Sequence, residues 1–331
     1  MKAHRALCCL LSLTPLFCCK KDGDRSSKNP SPESCEAGSH KAVPTLVVEA
    51  AAEPFDVAVD ETSVYWTEVG GSGVVGAIDK DGANRRQLVT DSANLPFAIA
   101  LGPTHVFFQT SHEIKRVPKD GSEAAQTLAT GFDNLHSNGL IFDGDHVYFA
   151  ATSLSEGSEV VFRINADGTE PVNIVTQSGS IDALGVDADY LYFNSGSVVE
   201  PTLVRVPKTG GAPETIATGR GCHNVALNGF QVFCAADYFG PFRVNVTTKM
   251  AIDLCTEWNP QLLVKDARLV GTGFYLLVEA PDGSGLVLRV STAGTGTLLA
   301  SGLGAPLRMT TDGTYLYVTE KDAGRIRRIQ P

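Results

Sequence analysis

The chain has 331 residues, 43% of them hydrophobic and 19% charged, with 37 Asp and Glu against 27 Lys and Arg, for a formal charge of -10. This is ample apolar material for one large core, and the acidic balance excludes a general nucleic-acid binder. The densest basic run, Arg325-Ile326-Arg327-Arg328, falls on a predicted strand without interleaved aromatics.

In chain order, Met1 to Cys19 opens with Lys2 and Arg5 and continues as an apolar stretch from Ala6 to Phe17 that is too short to span a bilayer. This pattern predicts a secretory leader. Leu16-Phe17-Cys18-Cys19 resembles a bacterial lipobox, with Cys18 where a small residue is usual; the resemblance implies acylation of Cys19. Residues 20–43 are rich in Ser, Pro and charge and are expected to form a disordered tether, because such a composition buries too little apolar surface to offset chain entropy. The third predicted unit is residues 44–331.

That unit repeats. An apolar triplet returns every 41 to 44 residues as VYW (Val64 to Trp66), VFF (Val106), VYF (Val147), LYF (Leu191), VFC (Val232), YLL (Tyr275) and LYV (Leu316). Before the triplets apolar strands end in turns, Asp-Gly in LIFDGDH and MTTDGTY, Asn-Gly in VALNGFQ and Asp-x-Asp in LGVDADY, of which Gly and Asn tolerate positive φ. After it come a third strand, such as IKRVPKDG from Ile114, and a fourth, such as QTLAT from Gln126. Four short strands per period near 40 predict an all-β propeller with seven antiparallel blades, six being the alternative. The seventh copy has three strands, and Thr45-Leu46-Val47-Val48 matches the fourth-strand pattern, so the N-terminal strand is expected to complete that blade and close the ring.

The run from Val64 to Thr90 resembles the YWTD repeat of the low-density-lipoprotein-receptor propellers, with Glu68 where that motif has Asp. Later copies, with third strands like Arg116-Val117-Pro118-Lys119-Asp120-Gly121, are similar to NHL and TolB-type propellers of bacterial envelope proteins. The resemblance implies a propeller and a recognition role, and transfers no ligand. YWTD receptor domains have six blades and a disulfide-rich neighbouring module, whereas this chain predicts seven blades and no such module.

With Cys8, Cys9 and Cys18 in the leader and Cys19 carrying lipid, Cys35, Cys222, Cys234 and Cys255 remain. A two-residue turn at Asn228-Gly229 makes Cys222 and Cys234 diagonal neighbours and favours their pairing; Cys222 with Cys255 is the alternative. His223 beside Cys222 raises a zinc reading, but no Cys-x-x-Cys pair supports it, and no metal or cofactor is expected. Asp79-Lys-Asp81, Asp143-Gly-Asp145 and Asp187-Ala-Asp189 fall on repeated hairpin turns and are read as turn chemistry in preference to calcium ligands.

No nucleophile elbow, zinc-protease helix or phosphate-binding glycine loop is present. In a propeller the first strand of each blade lines the central channel. Counting back from the triplets places Asp56, Asn138, Asp182, His223, Asp266 and Arg308 at one mouth as candidate ligand-binding residues. The leading expectation is a non-enzymatic, monomeric envelope propeller, exported and held to the membrane only by its N-terminal lipid, that recognises or scaffolds a protein, peptide or glycan. A lyase or hydrolase at the mouth, with His223 or His136 as base, is the alternative; it requires His223 to meet Asp182 or Asp266. A third reading, a purely structural component, requires Phe55, Phe97 and Leu307 to plug the mouth.

Overall fold

The computed structural model describes residues 42–49, 51–133, 139–153, 158–177, 181–196, 200–237, 240–255, 258–291 and 296–331. Leader and tether therefore lie almost wholly outside the described residues. What is described is a seven-bladed β-propeller.

Blade 1 is Pro54–Val59, Ser63–Glu68, Val74–Asp79 and Arg86–Thr90; blade 2 is Ile99–Leu101, His105–Gln109, Glu113–Pro118 and Gln126–Thr130. Blade 3 has an interrupted inner strand, Phe132–Asp133 and Ile141–Asp143, then His146–Ser153, Glu159–Asn165 and Val172–Gln177. Blade 4 is Asp182–Val186, Tyr190–Gly196, Pro201–Pro207 and Glu214–Thr218; blade 5 is Asn224–Asn228, Gln231–Ala236, Gly240–Asn245 and Ala251–Asp253. Blade 6 is Leu263–Val270, Gly273–Glu279, Ser284–Val290 and Gly296–Gly304. Blade 7 is Pro306–Thr311, Leu316–Glu320 and Arg325–Ile329, completed by Thr45–Val48. Thr45 pairs with Arg328 and Leu46 with Arg327, antiparallel, as the missing-strand argument expects. The innermost strands touch in blade order, and that of blade 7 meets that of blade 1, so the ring is closed.

The triplets explain why the blades stack. Successive residues of a strand point to opposite faces. Accordingly, the middle residue of each triplet packs toward the following blade and its successor toward the preceding one. Tyr65 joins the cluster shared with blade 2, while Trp66 joins the one shared with blade 7. Tyr148 and Phe149, and Tyr192 and Phe193, divide in the same way. Each interface thus has its own apolar cluster, seven in all among the described residues. Each buried ring contributes roughly 2–3 kcal/mol of transfer free energy. In blade 6 the structural triplet is Phe274-Tyr275-Leu276, because Tyr275 faces blade 7 as Tyr65 faces blade 2; the repeat sits one residue earlier than YLL suggests. Trp66 also needs Gly76 opposite it, where an added Cβ would stand 2.3 Å from the indole.

The hairpin aspartates are structural. Asp60 Oδ1 accepts the N–H groups of Thr62 and Ser63, and its Oδ2 accepts Lys119 Nζ of blade 2 at 2.8 Å. Asp312 does the same with Thr314, Tyr315 and Lys80 of blade 1, the last also at 2.8 Å. Asp143 of blade 3 pairs with Lys208 of blade 4. Asp187 binds the N–H groups of Asp189 and Tyr190 and the Tyr192 hydroxyl. Against the upward push of burial, hydrogen bonds from the cross-blade lysines and the turn N–H groups hold the Asp60 and Asp312 carboxyls down at about 2.

Cys222 and Cys234 form a disulfide with a Cα–Cα distance of 5.2 Å. The register beneath it differs from an Asn228-Gly229 turn: Asn228 pairs with Gln231, so the turn is Gly229-Phe230 and Cys234 faces Val225. His223 and Asn224 both address Ala235, a bulge that ends the regular ladder and lets Cys222 fold back onto Cys234.

Candidate functional site

The innermost strands enclose a channel of about 460 Å³ to which all seven blades contribute. Asp56, His223, Asp266 and Arg308 line it, as the count from the triplets predicts. Asn138 lies outside the described residues. Asp182 opens the innermost strand of blade 4 opposite Asn194 and is described by its backbone alone.

Asp56 sits where its strand departs from regular pairing, between Pro54 and Val57. Its Oδ1 accepts the Val57 N–H at 2.8 Å, and Oδ2 crosses to blade 2 to accept the Ile99 N–H at 3.0 Å. Asp266 occupies the equivalent irregularity in blade 6. Its Oδ1 accepts the Ala267 N–H at 2.7 Å and pairs with Arg268, and its Oδ2 accepts the Met309 N–H of blade 7 at 2.8 Å. Both carboxylates are thus inter-blade braces with both oxygens engaged. Burial pushes the Asp56 carboxyl up to about 6, against the opposing pull of the Arg308 charge and of the Ile99 and Val57 N–H groups; the Asp266 charge adds to the rise.

Two threonines brace the same level. Thr67 accepts the Asp56 N–H at 3.1 Å and donates to the Phe97 carbonyl of blade 2. Thr319 accepts the Arg308 N–H at 3.0 Å and donates to the Phe55 carbonyl of blade 1 at 3.2 Å. Next to them, Glu68 accepts the Ala52 N–H at 2.8 Å and the Trp66 indole N–H at 2.7 Å. Glu320 accepts the Gly304 N–H at 2.6 Å, with Arg325 and Arg327 on its oxygens. In blades 1 and 7 the buried Thr-Glu pair is therefore a strap, the Glu holding the chain that enters the blade and the Thr reaching the next blade.

His223 stands half-exposed at the mouth, with Nε2 3.7 Å from Asp237 Oδ2. Asp237 Oδ1 is taken by the Val264 N–H at 2.6 Å. Among the described residues no hydrogen bond joins His223 to Asp266, whose oxygens are engaged elsewhere. The counting argument missed Asp237 and Arg268. Arg268 follows Asp266 at the two-residue spacing of one strand face and was findable by alternation; Asp237 lies on a loop and leaves no periodic signal. Phe55 and Phe97 meet edge to face with centroids 5.4 Å apart, and Arg308 lies 5.5 Å from the Phe55 centroid. These rings edge the mouth without filling the channel.

The channel is asymmetric. From blades 5, 6, 7 and 1 it receives His223, Asn224, Asp266, Arg268, Arg308, Thr310 and Asp56. From blades 2, 3 and 4 its described lining is apolar, including Ile99, Leu140, Ile141, Leu184 and Val186.

No protein-family model matches the chain, and no curated protein matches it in sequence. Solved structures do match in shape. A chain of the nidogen/laminin complex aligns with a TM-score of 0.50 at 16% identity, covering 61% of this chain and 80% of that one. BamB from Moraxella catarrhalis aligns with 0.52 at 16% identity, covering 84% and 85%. The computationally designed protein Ika8 aligns with 0.58 at 12% identity, covering 88% of this chain and 100% of its own. At these identities the likeness is one of fold: the chain is a β-propeller.

Proposed function

We propose that the protein is a non-enzymatic recognition or scaffold propeller of the bacterial cell envelope, exported and tethered through a lipid on Cys19, with a protein, peptide or glycan as partner. In this reading residues 1–19 are the leader, 20–43 the leash and 44–331 the recognition domain, working as a monomer.

The observation that carries the non-enzymatic reading is the state of the carboxylates. Asp56 and Asp266, the acids among the described residues lining the channel, have both oxygens committed to backbone N–H groups. A general acid or base needs an oxygen that faces substrate. His223 is half-exposed, and among the described residues its acidic neighbour is Asp237, 3.7 Å away with one oxygen already held by the Val264 N–H. The Cys222–Cys234 disulfide supports export, since such bonds persist in oxidising compartments. A chain of the same fold in the nidogen/laminin complex supports protein recognition as a use of the architecture.

The test is proximity crosslinking of the full chain in its own cells, beside Cys19→Ser and His223→Ala. A reproducible partner with wild type, and loss of fatty-acid labelling in Cys19→Ser, are expected. Absence of any partner, with measurable turnover abolished by His223→Ala, would overturn the reading in favour of catalysis at the mouth.

A further inference from the structure

The asymmetry of the channel has a chemical meaning. A ligand that enters this channel of about 460 Å³ must meet complementary groups, and such volumes suit small molecules or the end of a chain. On the polar arc the described carboxylate oxygens are all engaged. Each Asp56 oxygen already takes a backbone N–H, and so does each Asp266 oxygen. Arg268 keeps donors open. Arg268 uses only Nη1, on Asp266 and on the Ala267 carbonyl, which leaves Nε and Nη2 without a partner among the described residues. Arg308 adds a second positive charge on the same arc, and Thr310 and Asn224 add polar groups. Opposite them stand Ile99, Leu140, Ile141, Leu184 and Val186.

We infer that the channel is a binding site for an amphipathic carboxylate, whose anionic head is held by Arg268 beside Arg308 while its branched or aromatic body lies on the apolar wall of blades 2 to 4. The guanidinium fork matches a carboxylate in two parallel hydrogen bonds. A cation meets the guanidinium groups of Arg268 and Arg308 there, despite the acidity of the chain as a whole. A neutral sugar would leave the apolar wall unsatisfied. The same chemistry is presented by a free small acid and by the C-terminal carboxylate of a peptide ending in an apolar residue. The site deepens the recognition reading without depending on it.

Calorimetric titration of the full chain tests this, with isocaproate against isocaproamide, and a tripeptide ending in leucine with a free against an amidated C-terminus. The acids are expected to bind on the order of tenfold or more tighter than their amides, since a charged hydrogen-bonded pair is lost in the amide. Arg268→Gln should remove most of that preference and Arg268→Lys part of it, with folding checked by melting. If only isocaproate shows the preference the ligand is a free acid, and if only the tripeptide does it is a chain end. Equal binding of acids and amides, or no binding of any probe at millimolar concentration, overturns the inference. A protein partner captured in cells alongside such a result would leave the recognition reading standing and remove only this site.

Discussion

Asp56 and Asp266 are the same brace built twice. Each holds the N–H of its own successor and reaches 43 positions along the chain to an N–H of the next blade, that of Ile99 for Asp56 and that of Met309 for Asp266. Asp266 is fully buried, so removing its carboxylate strands two amide groups and the Arg268 charge. Asp266→Ala is expected to lower unfolding stability by about 3–5 kcal/mol, read from urea midpoints at constant slope. A change under 1 kcal/mol, by order of magnitude for a surface site, would mean the brace is dispensable.

Asp56 gives the chain a pH dependence of opposite sign to that of ordinary surface acids. Its carboxyl rises from 3.8 to about 6 on folding, so between those values the folded state keeps a proton the unfolded state has lost. The stabilisation is complete below pH 3.8 and disappears as pH passes 6, a span worth about 3 kcal/mol. The stability difference between wild type and Asp56→Asn should shrink by about that amount from pH 4 to pH 7. A difference that does not vary with pH would contradict the burial-driven shift.

Asp312 works the other way. Hydrogen bonds from Lys80, Tyr315, Thr314 and Tyr317 outweigh burial and draw its carboxyl from 3.8 down to about 2. Its contribution is present above pH 3.8 and is lost as pH falls through 2, a span of roughly 2 kcal/mol. Asp312→Asn should therefore cost about that much at pH 7 and nothing at pH 1.5, as followed by acid titration of the near-ultraviolet circular dichroism.

Tyr192 separates packing from hydrogen bonding. Tyr192→Phe keeps the ring and loses the hydroxyl's contacts with Asp187 and Arg205, and should cost about 1–2 kcal/mol. Tyr192→Asp, or Tyr148→Asp, places a charge between blades and is expected to prevent folding, seen as insoluble expression or flat thermal melts. A soluble, cooperatively melting aspartate variant would contradict the inter-blade packing described above.

The Cys222–Cys234 bridge closes a short loop with a sequence separation of 12. Reduction, or Cys234→Ser, is expected to cost about 3 kcal/mol by loop-closure entropy. Comparing melting with and without reductant measures it.

Blade number, strand order and closure were legible because the triplets alternate in register with the inter-blade faces, and hydrophobic patterning carries that information over the whole chain. The candidate site was legible to the extent that it repeats. Asp56, Asp266 and Arg308 stand nine residues before Tyr65, Tyr275 and Tyr317, and His223 ten before Phe233, so two adjacent offsets from the triplets bring all four to the mouth. What counting could not convey is which way a carboxylate turns. Asp56 and Asp266 look like open acids in the sequence, and only the bulges that aim them at Ile99 and Met309 make them braces. Asp237 was invisible because a loop has no period. The one-residue offset at Tyr275 and the Gly229-Phe230 turn arise where adjacent apolar residues, or two adjacent turn formers, allow two registers by pattern alone.

The pairing of Thr45–Val48 with Arg325–Ile329 also sets an order of events. Thr45 is translated long before Arg328, so the blade interfaces between sequence neighbours can form while the circle is still open. Its clasp waits for the far end of the repeat array, which makes closure the most non-local and slowest contact. Once fastened, that clasp is where any pull on the residues preceding Thr45 enters the domain. A load on the chain before Thr45 is taken first by the ladder of Thr45 on Arg328 and Leu46 on Arg327, so the strength of that single seam sets how firmly the ring holds against it.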